Sequence, residues 1–425
     1  MIVETLFLNI LLLHACLAPV GGLLIRPEDT TRLLLSSYDY IIVGGGVAGL
    51  VVANRLSEQG NVTVLVLEGG ELDPSPDIVT VPGLIGHGFP PPYNWNFTTT
   101  PQEFLDNKPR DYGQGHVVGG GSILNGIVMT RGARQDYDAW EALGNPGWGW
   151  DGLLPYFKKS ERFSVNVPPE RADALHIRPE DSMHGTEGPL EVTYPNFVYN
   201  QSTNFLRALS ELGLPHLPDP NAGVGTGTMV VPASMSARNQ SRADSRRAYL
   251  DPVLHRPNLH LAVQQTITRI LLETDKSSIT VPPFGKLTRA TGVEYTTSAD
   301  SPHRKVVCNK EVILAAGAIM SPVLLQVSGI GPSPILKDLN VTVRVDLPGV
   351  GHNLQDHAMV GAFYNYTKSG LFSARNLTGA TLEAAKQAYF TNRTGKHPFP
   401  PFQRPQSSSQ RSILSNLYQA LGQPP

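Results

Sequence analysis

The stretch Tyr38-Asp39-Tyr40-Ile41-Ile42-Val43-Gly44-Gly45-Gly46-Val47-Ala48-Gly49 decides the fold. Its first six residues are mostly β-branched, aromatic and apolar, which predicts a short buried strand. The glycines follow that strand directly and fit G-x-G-x-x-G. Leu50 to Leu56 then carries small and apolar residues at helical spacing, and Gly60-Asn61 breaks the run. Thr63-Val64-Leu65-Val66-Leu67 predicts a second strand that ends at Glu68. Together these make a βαβ unit in which each part suits a bound dinucleotide. Gly44 permits a tight turn, Gly46 lets the backbone approach a pyrophosphate, and Gly49 lets the helix pack on the strand. The helix start at Val47 and Ala48 offers unpaired N–H groups and a partial positive charge to phosphates. Glu68 can accept hydrogen bonds from ribose hydroxyls. A glycine-rich turn in an ordinary α/β protein does not require strand, helix, strand and acid in this order. The unit alone does not separate NAD from FAD.

Residues 113–132 read GQGHVVGGGSILNGIVMTRG. Gly115, Gly119, Gly120 and Gly121 can lay successive backbone N–H groups against an anionic or electron-rich group. Ile123, Leu124, Ile127, Val128 and Met129 make the stretch too apolar for a solvated linker. It resembles the first signature of the glucose–methanol–choline (GMC) family of flavoprotein oxidoreductases. The run from Gly317-Ala318-Ile319-Met320-Ser321-Pro322 to Ser328-Gly329-Ile330-Gly331 is similar to the family's second signature. Flanking pieces agree: Asn94-Trp95-Asn96-Phe97 before Pro101-Gln102, Arg246-Arg247-Ala248-Tyr249-Leu250, and Gly349-Val350-Gly351-His352-Asn353-Leu354-Gln355-Asp356-His357. The resemblance runs from about Tyr38 to about Gly395.

The resemblance implies FAD. It assigns the cofactor to Gly44, Gly46, Val47, Ala48, Gly49 and Glu68, and to the loop residues Val118, Gly119, Ser122, Asn125, Gly126, Ile127 and Val128. It adds a backbone contact to adenine from Ile267. A Gly-rich loop can lie flat against an isoalloxazine without side-chain clashes, which agrees. Two positions depart from the pattern. His116 stands where the family usually has Arg or Lys. Leu124 stands where members with covalently attached FAD have a His, so the expected attachment is non-covalent.

The fold class implied is α/β, a Rossmann-type FAD-binding domain with an inserted α+β substrate domain, lacking the C-terminal third of the family fold. The expected division is a signal peptide at 1–22, FAD-binding segments at 36–155 and 236–340, substrate segments at 156–235 and 341–395, and a disordered tail at 396–425. Strand patterns recur at Leu259-His260-Leu261-Ala262-Val263, Thr291-Gly292-Val293-Glu294-Tyr295 and Glu311-Val312-Ile313-Leu314. His184 to Val192 resembles the start of the family's substrate-domain sheet. The tail carries Pro398, Pro400, Pro401 and Pro405 before a Gln/Ser run, a composition that suits disorder.

Composition narrows the partners. Charged residues are 16% of 425, with Lys+Arg 34 against Asp+Glu 36, so no broad phosphate-binding surface is available for nucleic acid. Cys16 and Cys308 are the two cysteines, and one leaves with a leader, so neither a disulfide framework nor a cysteine-based zinc site is expected. No H-E-x-x-H or other metal pattern occurs. Leu6 to Leu17 is nearly all apolar, the length of a signal-peptide core and short of the ~20 residues a membrane span takes. Cleavage near Gly22 is expected. Eight Asn-x-Ser/Thr sequons begin at Asn61, Asn96, Asn200, Asn239, Asn340, Asn365, Asn376 and Asn392, which predicts a glycosylated, secreted protein.

The family mechanism implied is alcohol oxidation, with a His base taking the hydroxyl proton and hydride passing to flavin N5. Oxygen or another acceptor then reoxidises the flavin, and the substrate is a small-molecule alcohol. The motif variants resemble fungal aryl-alcohol-oxidase-like and secondary-metabolite dehydrogenase members. The family's catalytic His and its partner lie in a C-terminal segment beyond Pro425, so no catalytic residue is assigned. His87, His116, His184, His352, His357 and His397 are candidates by residue type alone, and His357 reads better as structural. Two other readings stay open: an NAD(P)-dependent reductase, and a catalytically inactive FAD-binding fragment.

Overall fold

The computed structural model describes residues 22–85, 91–274, 280–281, 285–286, 288–357 and 378–393. The leader and the tail therefore fall outside the described residues, as do His87, His397, Asn365 and Asn376.

A seven-stranded sheet organises the chain. Its strands are β1 (Leu23–Ile25), β2 (Ser37–Val43), β3 (Val64–Leu67), β4 (Leu259–Ala262), β5 (Thr266–Thr274), β6 (Thr288–Thr296) and β7 (Arg304–Leu314). Their order is β1-β4-β3-β2-β7-β6-β5. From β1 to β7 all pairings are parallel, and β6 and β5 continue the sheet antiparallel. The strands foreseen from periodicity all appear. They sit next to one another despite nearly 200 residues between β3 and β4. The sheet is thus assembled from segments far apart in sequence.

Both faces of the parallel part are covered, which is why its strands read as continuous apolar runs rather than alternating ones. Ile41, Val43, Leu65 and Leu67 pack on one face with Ile25, Ala262 and Val293. Ile42, Val64 and Val66 pack on the other with Leu50 and Ala53 of helix α1 (Val47–Leu56). The register sets Val43 beside both Leu67 and Leu314, and Leu67 beside Ala262. The carboxyl ends of four parallel strands therefore finish in one row, where open α/β sheets bind their ligands.

One boundary differs from expectation. The expected first segment begins at residue 36, but β1 already belongs to the sheet. Leu23, Leu24 and Ile25 pair with His260, Leu261 and Ala262, and Ile25 is fully buried. A three-residue strand that pairs with a segment more than 230 residues on leaves no periodic signal of its own.

The inserted region keeps its own core. Glu161–Phe163 pairs in parallel with Leu190–Val192, and Phe163, Leu175, Ile177, Val192, Tyr194 and Leu206 pack together. Further on, the helix Gly379–Asn392 returns to the body of the protein. Tyr389 packs on Val81 and Leu84, and its hydroxyl donates to the Gln240 carbonyl at 3.1 Å. Among the described residues no helix is long and apolar enough to cross a membrane.

Candidate dinucleotide site

A cavity of about 480 Å³ opens at the row of strand ends. Val43, Leu67 and Leu314 form its floor, and Gly44, Gly46, Val47 and Ala48 bring in the first βαβ turn. Gly120 and Gly121 come from the second glycine-rich loop. Gly317, Met320, Ser321 and Leu324 come from helix α2 (Gly317–Val327). Glu68, Gln265, Thr266 and Ile267 close the end beside β3 and β5.

The three glycines of the turn are required for three different reasons. Gly44 has φ +104°, and a Cβ there would stand 2.4 Å from the Ala315 carbonyl oxygen. A Cβ at Gly49 would stand 2.0 Å from the Gly44 carbonyl oxygen, so helix and strand meet only through glycine. Gly46 is unlike both. Its φ of −84° suits any residue, and the nearest atom to an added Cβ is Gly120 Cα at 3.9 Å. No protein atom demands glycine there. A cradle left open at the helix N-terminus, in a cavity at the strand ends, is what a pyrophosphate needs, so the residues present fit a dinucleotide. Gly46→Ala is therefore expected to leave thermal unfolding of the ligand-free protein unchanged. It should weaken dinucleotide binding by about 1–3 kcal/mol, the usual cost of an intruding methyl in a close contact. Calorimetry and ligand titration of the two proteins check this.

The two glycine loops touch back to back. The Gly119 N–H donates to the Gly45 carbonyl at 2.8 Å, and a Cβ on Gly120 would meet Gly46 Cα at 2.9 Å. Ser122 locks the second loop from below. Its hydroxyl donates to the Gly119 carbonyl at 2.7 Å and accepts the Ser245 N–H at 3.0 Å. Asn125 is held by Arg242, whose buried guanidinium donates to Asn125 Oδ1 at 2.7 Å, to the Ser122 carbonyl and to the Val79 carbonyl. Burial lowers the Arg242 pKa to about 10, still cationic at neutral pH.

Glu68 is buried at the end of β3. Its two carboxylate oxygens accept the Gly45 N–H at 2.7 Å and the Gly70 N–H at 2.8 Å. Burial pushes its pKa up, against the pull of those two N–H groups. Each oxygen keeps a lone pair for a further donor. Among the lining residues Glu68 is the sole Asp, Glu, Lys, Arg or His, so phosphate charge would be met by backbone N–H groups rather than by a cation.

Of the residues assigned from sequence, Gly44, Gly46, Val47, Ala48, Glu68 and Ile267 come together at the cavity, with Gly49 packed beneath. Val118, Gly119 and Ser122 support the loop from behind its lining residues. Asn125, Gly126, Ile127 and Val128 run beyond the lining, and Ile127 packs with Ile85, Ala233 and Met235. Trp95, Gln114, Gln265 and the lining residues of α2 carried no site assignment from sequence. Gln114 ties the second glycine loop to the start of α2, its side-chain amide donating to the Ala316 carbonyl at 3.1 Å.

Among the described residues no histidine lines the cavity. His116 packs its ring on Trp95, 4.1 Å between centroids. His352 and His357 are exposed, so the structural role expected for His357 is not a buried one. His184 is buried in a charge network. It bonds Glu161 Oε1 at 3.0 Å and Asp219 Oδ2 at 3.1 Å, and Arg131 pairs with the same Glu161 oxygen at 2.6 Å.

Comparison with known proteins supplies the family. The family profile described as GMC oxidoreductase matches residues 38–359. Dehydrogenase xptC of Emericella nidulans is 39% identical over 364 residues, covering 84% of this chain and 56% of that protein. An FAD-dependent oxidoreductase from Chaetomium thermophilum superposes with a TM-score of 0.77 at 37% identity, covering 92% of this chain and 66% of that one. A fungal aryl-alcohol oxidase superposes at 0.70 with 32% identity, covering 84% and 59%. The chain thus spans little more than half the length of the curated relative. With the profile covering most of the sequence and the βαβ turn, second glycine loop and α2 meeting at one cavity, the chain belongs to the GMC oxidoreductase family.

Proposed function

We propose that this chain binds FAD non-covalently and belongs to an oxidoreductase acting on the CH–OH group of a small-molecule alcohol. The observation that carries the reading is the convergence of Gly46, Glu68, Gly120, Gly121 and helix α2 on one cavity at the strand ends. When bound, the flavin would accept hydride at N5 and pass electrons to oxygen or another acceptor. The chain's own residues do the holding. The N-terminus of α1 and the Gly120–Gly121 backbone would take the pyrophosphate, Glu68 the ribose, and Ile267 the adenine edge through its backbone. The apolar floor of Val43, Leu67 and Leu314 excludes water from beneath. Leu124 has no nucleophilic atom, which supports non-covalent attachment. Denaturing the purified protein in acid should release all the yellow colour from the polypeptide. Colour that stays with the polypeptide rejects the attachment, and a protein that takes up no flavin rejects FAD.

Glu68→Ala is expected to weaken flavin binding by about 1–3 kcal/mol, the cost of leaving buried donors without their acceptor. Flavin titration reads it, and an unchanged affinity removes the ribose role.

A second reading is that this chain holds FAD without turning over alcohol by itself. The observation favouring it is that no histidine lines the cavity among the described residues, so no base stands ready to take a hydroxyl proton. A missing base costs about 10²–10⁴-fold in rate. Assays with aryl and aliphatic alcohols, beside a full-length family member, separate the two readings.

We also propose secretion and glycosylation. Asn61, Asn96, Asn340 and Asn392 are exposed, and Asn239 is half-buried. Asn200 begins the helix Asn200–Glu211. Cleavage near Gly22 would leave β1 as the first element. N-terminal sequencing and mass loss on glycosidase treatment test this, and a protein that starts at Met1 with no such loss overturns it.

A further inference from the structure

Arg242 is 1% exposed, second in size only to Trp150 among the fully buried side chains of the described residues. Its side-chain hydrogen bonds all end on neutral oxygens: the Val79 carbonyl at 2.8 Å, the Ser122 carbonyl at 2.9 Å and Asn125 Oδ1 at 2.7 Å. Nη2 has no partner among the described residues. The buried carboxylates nearby are matched by other arginines. Asp244 pairs with Arg247, and Asp73 lies 3.6 Å from Arg247 and 3.7 Å from Arg246. Arg246 also reaches Asp251, which is 40% exposed and shared with solvent. Arg242 is therefore a cation held in the interior with no counter-ion in contact. Such a charge is costly, because nothing close offsets its lost hydration.

Its place in the fold gives it a use. Ser122 and Asn125 belong to the second glycine loop, and Gly120 and Gly121, directly before Ser122, line the cavity. Arg242 thus stands behind a loop whose front faces the ligand. No Lys, Arg or His lines that cavity, and its one ionisable side chain, Glu68, is an acid. A pyrophosphate would bring further negative charge into it. We propose that Arg242 is the counter-charge for the pyrophosphate, acting through the glycine loop rather than by contact. The inference rests on the FAD reading and deepens it. Arg242 is a positioning residue in this role: it holds the loop by Ser122 and Asn125, and its field falls on the loop's cavity face. Across protein rather than water, a unit charge keeps its effect beyond contact distance.

The test compares two ligands that differ in the phosphate charge, ADP and adenosine, titrated into the flavin-free protein beside FAD. Arg242→Lys keeps the charge without the guanidinium fork, and Arg242→Gln keeps a donor without the charge. Arg242→Gln is expected to lose at least about tenfold of the wild-type preference for ADP over adenosine, a modest share of what a nearby unit charge supplies. Its affinity for adenosine should stay within about twofold. Arg242→Lys should keep the preference within about threefold. In wild type, raising salt from about 0.05 to about 0.5 M should change the preference by less than about threefold, because a buried charge is little screened. Full preference in Arg242→Gln overturns the proposal. So does an Arg242→Lys protein as poor as Arg242→Gln, which would leave Arg242 as a clamp alone. A wild-type preference that falls tenfold with salt overturns it too, by moving the cation to the surface, and decides the matter if neither variant folds. A wild-type protein that binds FAD without preferring ADP rejects only the role of Arg242, whereas one that binds neither FAD nor ADP rejects the FAD reading itself.

Discussion

Gly49→Ala is expected to cost the protein both its fold stability and its cofactor, in contrast to Gly46→Ala three residues earlier. The added methyl would lie 2.0 Å from the Gly44 carbonyl oxygen and 3.2 Å from Ile42 Cγ2. Neither neighbour can give way. Gly44 is held at φ +104° with its N–H on the Leu67 carbonyl at 2.8 Å, and Ile42 is fully buried between its sheet neighbours. Helix α1 must therefore back away from β2, opening the core where Leu50 and Ala53 meet Val64 and Val66. Overpacking of this kind costs about 1–3 kcal/mol, and more where the obstacle is backbone. The displaced helix also carries its N-terminal N–H groups away from the cavity. Denaturant unfolding should show the loss of stability, and flavin titration the loss of binding. If Gly49→Ala unfolds at the wild-type midpoint while Gly46→Ala does not, the division of labour between the glycines is reversed.

The parts of the site that were legible in the sequence are those whose chemistry is local. A βαβ unit writes its needs into about thirty consecutive residues, Tyr38 to Glu68, so Gly44, Gly46, Gly49 and Glu68 could each be given a reason from spacing alone. The rest of the cavity comes from the sheet order. Gln265 follows β4, which lies next to β3 only because the chain returns after nearly 200 residues. Helix α2 reaches the site because β7 pairs with β2. The family resemblance had marked residues 317–331 as a signature without assigning them a place, and the topology shows four of them lining the cavity. Gln114 and Trp95 lie in family-like stretches too, but a polar or aromatic residue in a loop carries no period that would place it at the cavity. The edge strand β1 was hidden for a related reason. It is short, it directly follows an apolar leader-like run, and its partner is β4.

The buried charges of the inserted region were also invisible, since Arg131, Glu161, His184 and Asp219 are scattered through the sequence. Their side chains are at most 3% exposed. Glu161→Gln is expected to destabilise the folded protein by about 3–5 kcal/mol, the range for breaking a buried ion pair by removing one partner. Glu161 Oε1 accepts from Arg131 at 2.6 Å, from His184 at 3.0 Å and from the Gly185 N–H at 3.1 Å. Without its charge, the buried Arg131 guanidinium would lose the carboxylate it pairs with, while Asp219 kept its bond to His184. The pH dependence provides a second readout. Burial lowers the His184 pKa, but the hydrogen bonds and charges of Asp219 and Glu161 outweigh it, so the folded value is raised. The ring of Phe163 stacks on the imidazole at 3.7 Å and brings no charge. A raised folded value means that the contribution of His184 is complete below its unfolded pKa of ~6.5 and fades as pH rises through the folded value. Asp219 runs the other way. Burial raises its pKa, but His184 and the N–H groups of Glu180 and Asn221 bring the net value down. Its contribution is therefore present above the unfolded carboxyl pKa and is lost as pH falls through the folded one. Stability should be greatest between those two limits, with an alkaline decline that disappears in His184→Gln. Denaturant unfolding from acid to alkaline pH checks this. A Glu161→Gln protein within about 0.5 kcal/mol of wild type, the scale of an ordinary surface substitution, would mean that the four charges are not what holds this region together.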